Sequence, residues 1–394
     1  LNPDLLSSKI QHFINTHVND DITTLLLKYK EVEGVPFPEI AEQIASKIRC
    51  KKKLPTWFET ENIYYPNKLN IEQTSSEQTA NYKASLLKGE SIIDLTGGFG
   101  VDCLYFSTHF KEVTHCEIAE KLSKIVSHNY KALQIDNIKT VNEDGISYLK
   151  NNPHKYDWIY IDPSRRNDVK GKVFLLEDCL PDVISHQETL FEYADTILIK
   201  TSPLLDITNG LRSLQHVKEV HVVAVNNEVK ELLWLLDKKL TTENVCIRTI
   251  NLKKQETETF DFYLSEEKAQ KVDFGLPKKY LYEPNAAILK AGGFYSIAQT
   301  FQLQKLHQHS HLYTSDTLIS FPGRRFEVKN VLPYTKKIIK KELNLKKANI
   351  TTRNFPESVA TIRKKLTLSD GGTDFLFLTT LYTGNKTAIH CVKI

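Results

Sequence analysis

Hydrophobic positions along the chain change their period once, and the change divides it. Up to about residue 53 they recur at helical spacing. Ile10, Phe13, Ile14 and Val18 form one series, and Ile22, Leu25 and Leu26 continue it. Pro36 and Pro38 interrupt the pattern, and Ile40 to Ile48 resumes it. Residues 73–80 open a further helix. Its N-cap chemistry comes from Ser76 with Thr79 or from Ser75 with Gln78, and Gly89 marks its stop. From Ser91 the pattern becomes short apolar runs alternating with helical segments. Strands are predicted at 91–94, 112–117, 139–142, 156–162, 196–200 and 219–225, with helices at 120–133 and 145–150 between them. Residues 246–252 and 259–264 read as a strand pair. Repeated strand–helix units predict an α/β fold with a parallel sheet covered on both faces, and such sheets bind ligands at the carboxyl ends of their strands.

Length and composition narrow the class. The 394 residues allow two or three domains. Six scattered cysteines without a C-x-x-C pair argue against a zinc knuckle, an iron–sulfur site or a disulfide framework, and fit a reducing cytosol. No charged-then-apolar leader opens the sequence, and no apolar run is long enough to span a bilayer, so a cytoplasmic protein is expected. No histidine spacing suggests a metal site. The net charge of +4 conceals an asymmetry: residues 320–394 hold 15 basic and 5 acidic side chains, and the remainder is net −6. A basic terminal module on an acidic body suggests a polyanion partner, although a solvated lysine-rich face would read the same way. Lys51, Lys52 and Lys53 beside Trp57 and Phe58 could hold phosphate and stack on bases, but such a segment more often docks a helix onto its neighbour.

The chemistry centres on one stretch, Ser91-Ile92-Ile93-Asp94-Leu95-Thr96-Gly97-Gly98-Phe99-Gly100-Val101-Asp102. Here a strand ends in an acid and runs at once into a glycine-rich turn. Gly97, Gly98 and Gly100 can take positive φ and have no Cβ to hold a ligand away. Acids then follow the predicted strands in series: Asp94, Glu117, Asp144 and Asp162. Glu117 could grip both hydroxyls of a ribose, Asp144 could accept from an adenine amine, and Asp94 could hold the turn or reach an ammonium group. A nicotinamide cofactor would also want an acid after the second strand, but an acid directly before the turn suits its pyrophosphate poorly.

These residues resemble the class I S-adenosylmethionine-dependent methyltransferases across residues 69–264, with a Rossmann-like sheet. Asp94-Leu95-Thr96-Gly97-Gly98-Phe99-Gly100 is similar to the family's acid-x-Gly-x-Gly-x-Gly turn, with Thr96 in place of the first glycine. The resemblance implies S-adenosylmethionine as cofactor. It would be bound by Asp94, Thr96, Gly97, Gly98, Gly100, Glu117, Ile118, Asp144, Gly145 and Asp162. Asp162-Pro163-Ser164-Arg165 falls at the family's substrate-facing Asp/Asn-Pro-Pro-aromatic motif, with the second proline and the aromatic replaced, and these four are the candidate catalytic residues. The C-terminal part resembles a THUMP-like domain, as in RNA-modifying enzymes. It includes Phe321-Pro322-Gly323-Arg324-Arg325-Phe326, a lysine-rich helix near 336–347 and a segment around Arg353. The implied organisation is a helical region (1–68), a methyltransferase domain (69–270), a small ferredoxin-like linking module (271–318) and a basic α+β THUMP-like domain (319–394).

Methyl transfer from a sulfonium needs an aligned nucleophile and exclusion of water. Asp162 and the carbonyl of Pro163 could accept from an exocyclic amine. Arg165, Arg166, Lys200, Ser202, Arg324, Arg325 and Arg353 are the candidate substrate contacts, although paired or turn-capping residues would look alike in sequence. No cysteine lies at these strand ends, which favours a nitrogen or oxygen acceptor over a covalent route through carbon. The expected partner is RNA, tRNA or rRNA, with no metal and no membrane. The rivals are a methyltransferase of proteins or small molecules, a non-catalytic RNA-binding protein on the same scaffold, and a nicotinamide-dependent oxidoreductase.

Overall fold

The computed structural model describes residues 1–165, 175–241 and 244–394, with the side chain of Arg165 not described. The chain divides into two compact units. One comprises Leu1–Val217 and Leu233–Thr241, and the other Lys218–Leu232 and Thr242–Ile394.

In the first unit, helices Ser8–Thr16, Ile22–Lys28 and Phe37–Lys53 form the N-terminal region. Pro38 does not break the third helix but starts it, since a proline in the first turn forfeits no intrahelical bond. Trp57, within helix Pro55–Glu59, is fully buried. Lys53 donates to the carbonyls of Ile71 and Glu72, so this part of the basic–aromatic segment is tied into the fold.

Five parallel strands follow: β1 (Ser91–Asp94), β2 (Glu112–Cys116), β3 (Ile138–Val141), β4 (Trp158–Ile161) and β5 (Thr196–Thr201). Their spatial order is β3-β2-β1-β4-β5, so the strand order reverses between β1 and β4. Ile92, Ile93, Ile159, Ile161, Ile197 and Ile199 are fully buried, as expected of strands covered on both faces. Helices Val101–Phe106, Glu120–Ala132, Gly145–Asn151 and Val183–Tyr193 make the crossovers. Helix Glu77–Leu86 precedes β1, and of the two predicted caps Ser76 with Thr79 is used, at 3.2 Å.

In the second unit, the strand Cys246–Leu252 pairs in parallel with residues 219–225 and antiparallel with Glu258–Tyr263. A seven-stranded sheet follows, in the order Gln304–Lys305, Tyr313–Ser315, Tyr280–Pro284, Gly323–Pro333, Lys386–Lys393, Asp374–Thr380 and Asn349–Arg353. Helices Lys336–Leu343 and Val359–Leu366 supply Ile339, Ile362 and Leu366 to a core with Ala348, Leu376 and Leu378. The lysine-rich helix stops four residues short of its predicted end, because Asn344 turns left-handed at φ +42°. The strand Glu228–Asp237 is absent from the prediction. Its Leu232–Leu236 stretch is uniformly apolar and carries no period, and the turn before it is Asn226-Asn227, both at positive φ.

Candidate functional site

Parallel register decides where the acids go. Asp94 lies opposite His115 on β2 and Tyr160 on β4, and Cys116 lies opposite Val141 on β3. Glu117 follows Cys116, Asp144 caps the helix after β3, and Asp162 follows Ile161. All four carboxylates therefore stand at the carboxyl rim of one sheet, grouped about the reversal in strand order.

The turn after β1 is built by close approach beneath and openness in front. Gly98 has φ +55° and Gly100 φ +79°. A Cβ on Gly97 would lie 2.3 Å from the His115 ring, and one on Gly100 would lie 2.2 Å from the Tyr130 hydroxyl. A Cβ on Gly98 would meet nothing nearer than the Thr96 carbonyl oxygen at 3.7 Å. The outer glycines are thus required by packing, and Gly98 faces open space. Glu117 holds this turn: its Oε2 accepts from the Gly98 amide at 3.0 Å and its Oε1 from the Ala119 amide at 2.7 Å. Ile118 beside it is 72% exposed. The Oδ1 of Asp144 accepts the amide and the hydroxyl of Ser147, each at 2.9 Å. Gly145 lets its helix start against Leu95, whose atoms a Cβ would meet at 2.6 Å.

Asp94 is almost wholly buried. Its Oδ1 accepts the Thr96 amide at 2.8 Å and the Thr96 hydroxyl at 3.1 Å, and its Oδ2 accepts the Cys103 thiol at 3.4 Å. Burial, helped by the charge of Asp102, pushes its carboxyl up to about 7 against those hydrogen bonds. The Thr96 hydroxyl also accepts the Asp162 amide at 2.7 Å. The Asp162 carboxylate, about a third exposed, is paired with the ammonium of Lys200 from β5.

The charge of Asp102 that acts on Asp94 belongs to a buried group that the sequence did not announce. Lys83 is fully buried, 3.2 Å from the carboxylate of Asp102. The Oδ2 of Asp102 accepts the Ser75 hydroxyl at 2.8 Å and the Tyr160 hydroxyl at 2.9 Å, and Lys83 also donates to Ser75 at 3.1 Å. Burial raises the Asp102 carboxyl, but Lys83, Lys200 and these hydrogen bonds outweigh it and hold the group below its usual range. The only signal in the sequence was Asp102 itself, two residues past Gly100. His115 is buried beneath the turn, with Nε2 3.3 Å from the Gly98 carbonyl. Burial lowers its imidazole to about 4, so it is neutral at pH 7.

The other sequence candidates disperse. Pro163 is buried and Ser164 exposed, and the backbone of Ser164 and Arg165 pairs with that of Leu180 and Cys179. Arg166 lies outside the described residues, as does the side chain of Arg165. The Ser202 hydroxyl accepts from the Leu204 amide in its own turn, at 3.2 Å. In the second unit, Arg324 and Arg353 both grip the buried carboxylate of Glu283, with Nε–Oε2 at 2.6 Å and Nη2–Oε1 at 2.7 Å. Arg325 follows Arg324 on the strand Gly323–Pro333, half-buried, with its carbonyl accepting from the Ile394 amide. Asn227 of the left-handed turn accepts the Ala286 amide at 2.7 Å. All six cysteines are buried, and none is joined in a disulfide. Among the described residues no cluster of His, Cys, Asp or Glu is arranged to hold a metal, and no helix is long and apolar enough to cross a membrane.

Comparison with known proteins places these features in context. Residues 280–322 match a family described as a ferredoxin-like domain, and residues 323–393 one described as THUMP domain-like. No curated protein matches the chain. Among solved structures, a proposed methyltransferase from Porphyromonas gingivalis W83 is 32% identical. The similarity covers 100% of this chain and 98% of that one, at a TM-score of 0.88. A proposed methyltransferase from Escherichia coli (21% identity, 41% of this chain and 84% of that one) and an rRNA methylase from Streptococcus thermophilus (15%, 41% and 93%) each reach a TM-score of only 0.30, too low to bear on function.

Proposed function

Because the chain belongs to the class I S-adenosylmethionine-dependent methyltransferases with a C-terminal THUMP-like domain, we propose that it transfers a methyl group to a nitrogen or oxygen of structured RNA, such as tRNA or rRNA. The observation that carries this reading is the rim itself: four carboxylates at successive strand ends beside a glycine that faces open space.

The residues present fit an adenosine cofactor bearing a sulfonium. Each oxygen of Glu117 holds one backbone amide and keeps acceptor capacity for a ribose hydroxyl. Exposed Ile118 offers an apolar face to a base, with Asp144 and Gly145 beside it. The open approach at Gly98, with the carboxyl of Asp94 closing the strand beneath it, suits the aminoacyl end. When bound, the cofactor supplies an electrophilic methyl group. This chain's own part is to orient the acceptor. Asp162 and the Pro163 carbonyl accept hydrogen bonds from it, and Lys200 fixes the Asp162 carboxylate. Lys200 and Asp162 form one unit in this reading, so the acceptor must share the carboxylate with an ammonium.

The RNA half of the reading rests on the second unit. Lys336, Lys337, Lys340 and Lys341 are exposed along one eight-residue helix of the THUMP-like region. The test is transfer of label from S-adenosylmethionine to total RNA resolved by size. Label in small RNA supports tRNA as substrate. An unlabelled RNA pool beside a labelled protein fraction would reject the RNA assignment.

A further inference from the structure

Thr96 stands where the family's turn carries a glycine, and its surroundings give the substitution a purpose. Its hydroxyl has one proton. The Asp162 amide points at Oγ from 2.7 Å, so Oγ must accept there. The proton is then directed to the neighbouring acceptor, Asp94 Oδ1 at 3.1 Å. The same Oδ1 receives the Thr96 amide at 2.8 Å, which fixes the carboxylate that receives the relay. The result is a continuous path from Asp162 N–H through the Thr96 hydroxyl to the Asp94 carboxylate. It links the ends of β4 and β1 across the reversal in strand order. The Leu95 amide donates to the Tyr160 carbonyl at 3.1 Å beside it, so ladder and relay together clamp these two strand ends. Lys200 holds the side chain of Asp162 and Thr96 holds its backbone, leaving that residue fixed at both ends.

We propose that Thr96 is a positioning residue which couples the cofactor turn to the acceptor loop by holding the backbone of Asp162. This rests on the methyltransferase reading for its consequence but not for its geometry. A glycine would leave the Asp162 amide without this acceptor, and Pro163, which carries the proposed second acceptor carbonyl, would lose its anchor. Misplacing an acceptor group by about 1 Å costs on the order of 100-fold in rate. A contact made only to orient the acceptor leaves cofactor affinity nearly untouched.

The experiment compares Thr96→Val, Thr96→Ser and Thr96→Gly in the full-length protein. Calorimetry with S-adenosylmethionine and with S-adenosylhomocysteine gives affinity, transfer at saturating cofactor gives kcat, and amide hydrogen exchange at Asp162 reports the bond directly. Thr96→Val, close in shape but without the hydroxyl, should lose about 10- to 100-fold in kcat, with cofactor Kd changed less than about threefold and Asp162 exchanging faster. Thr96→Ser should restore all three values, and Thr96→Gly should behave as the valine variant. Unchanged exchange at Asp162 in Thr96→Val overturns the relay. So does a loss of cofactor affinity as large as the loss of kcat. Should the wild-type protein neither bind the cofactor nor transfer methyl, the functional reading falls, and the exchange measurement still decides the role of Thr96.

Discussion

Lys83 sits 3.2 Å from Asp102 with its side chain wholly removed from water, and the charge of Asp102 acts on the carboxyl that ends β1. Desolvating two charges is costly, and the cost is offset here by the hydrogen bonds of Ser75 and Tyr160 to Asp102. Removing one partner leaves the other buried and uncompensated. Lys83→Met should therefore destabilise the protein by about 3–5 kcal/mol. The double variant Lys83→Met, Asp102→Asn should regain part of that loss. Denaturant melts of both single variants and the double one give the coupling energy, and additive losses would show that the two side chains do not act as a pair.

The titration of Asp94 makes a prediction with a definite sign. Its carboxyl is raised from 3.8 to about 7, chiefly by burial, so between those values the folded state holds a proton that the unfolded chain has released. Its contribution to stability is complete below about 4 and is lost as pH rises through 7. His115 runs the other way. Its imidazole is lowered from 6.5 to about 4 by burial, so its contribution is present above 6.5 and is lost as pH falls toward 4. Below 6.5 the two slopes oppose each other, and the wild-type curve hides both. Asp94→Asn removes one of them. The stability of that variant relative to wild type should grow steadily from pH 4 to 7 and then level off, by at most about 4 kcal/mol at roughly 1.36 kcal/mol per pH unit. Asp102, Cys103, Cys116 and Tyr130 surround the group and stay in both proteins. A difference independent of pH would mean that Asp94 is ionised throughout.

What could be read from the chain beforehand was local. β1, β4 and β5 are short, mainly apolar runs and β2 is a mixed one; β1 ends at an acid and β2 and β4 end next to one, and parallel topology then forces those acids onto one rim. The Lys83–Asp102 contact joins two helices, and no spacing rule links a mid-helix lysine to an acid in the next helix. Thr96 looked like a defect in a motif, because its partner, the Asp162 amide, is a backbone group 66 positions away with no signature of its own. The strand Glu228–Asp237 failed for another reason. Glu-Leu-Leu-Trp-Leu-Leu has no alternation, so period alone could not separate a buried strand from a helix.

Glu117 carries two duties that mutation can separate. It holds the Gly98 and Ala119 amides, and in the proposed function it also takes ribose hydroxyls. Glu117→Gln keeps one acceptor oxygen and should retain the fold, but it loses the charge-assisted bonds, each worth about 1.5–3 kcal/mol. Cofactor affinity should fall about 10- to 100-fold with a smaller drop in melting temperature than in Glu117→Ala, which should lower both. Calorimetry of the glutamine variant showing wild-type affinity would remove Glu117 from the ribose.

In the second unit the arginines and the lysines make opposite predictions. Arg324 and Arg353 converge on Glu283, whose side chain is 3% exposed, while the lysines of Lys336–Leu343 point outward. A guanidinium committed to a buried carboxylate acts first on stability: Arg353→Ala strips two hydrogen bonds from Glu283 and should cost about 1.5–3 kcal/mol. It should leave the salt dependence of RNA binding unchanged. Exposed lysines act on binding instead. Replacing Lys336, Lys337, Lys340 and Lys341 with alanine should leave the melt intact and flatten the dependence of log affinity on log salt by about 0.7–0.9 for each phosphate no longer neutralised. Binding to tRNA between about 50 and 200 mM salt, measured beside thermal melts, separates the two. If the arginine variant melts normally and flattens the salt slope, its guanidinium faces RNA and Glu283 serves only to aim it.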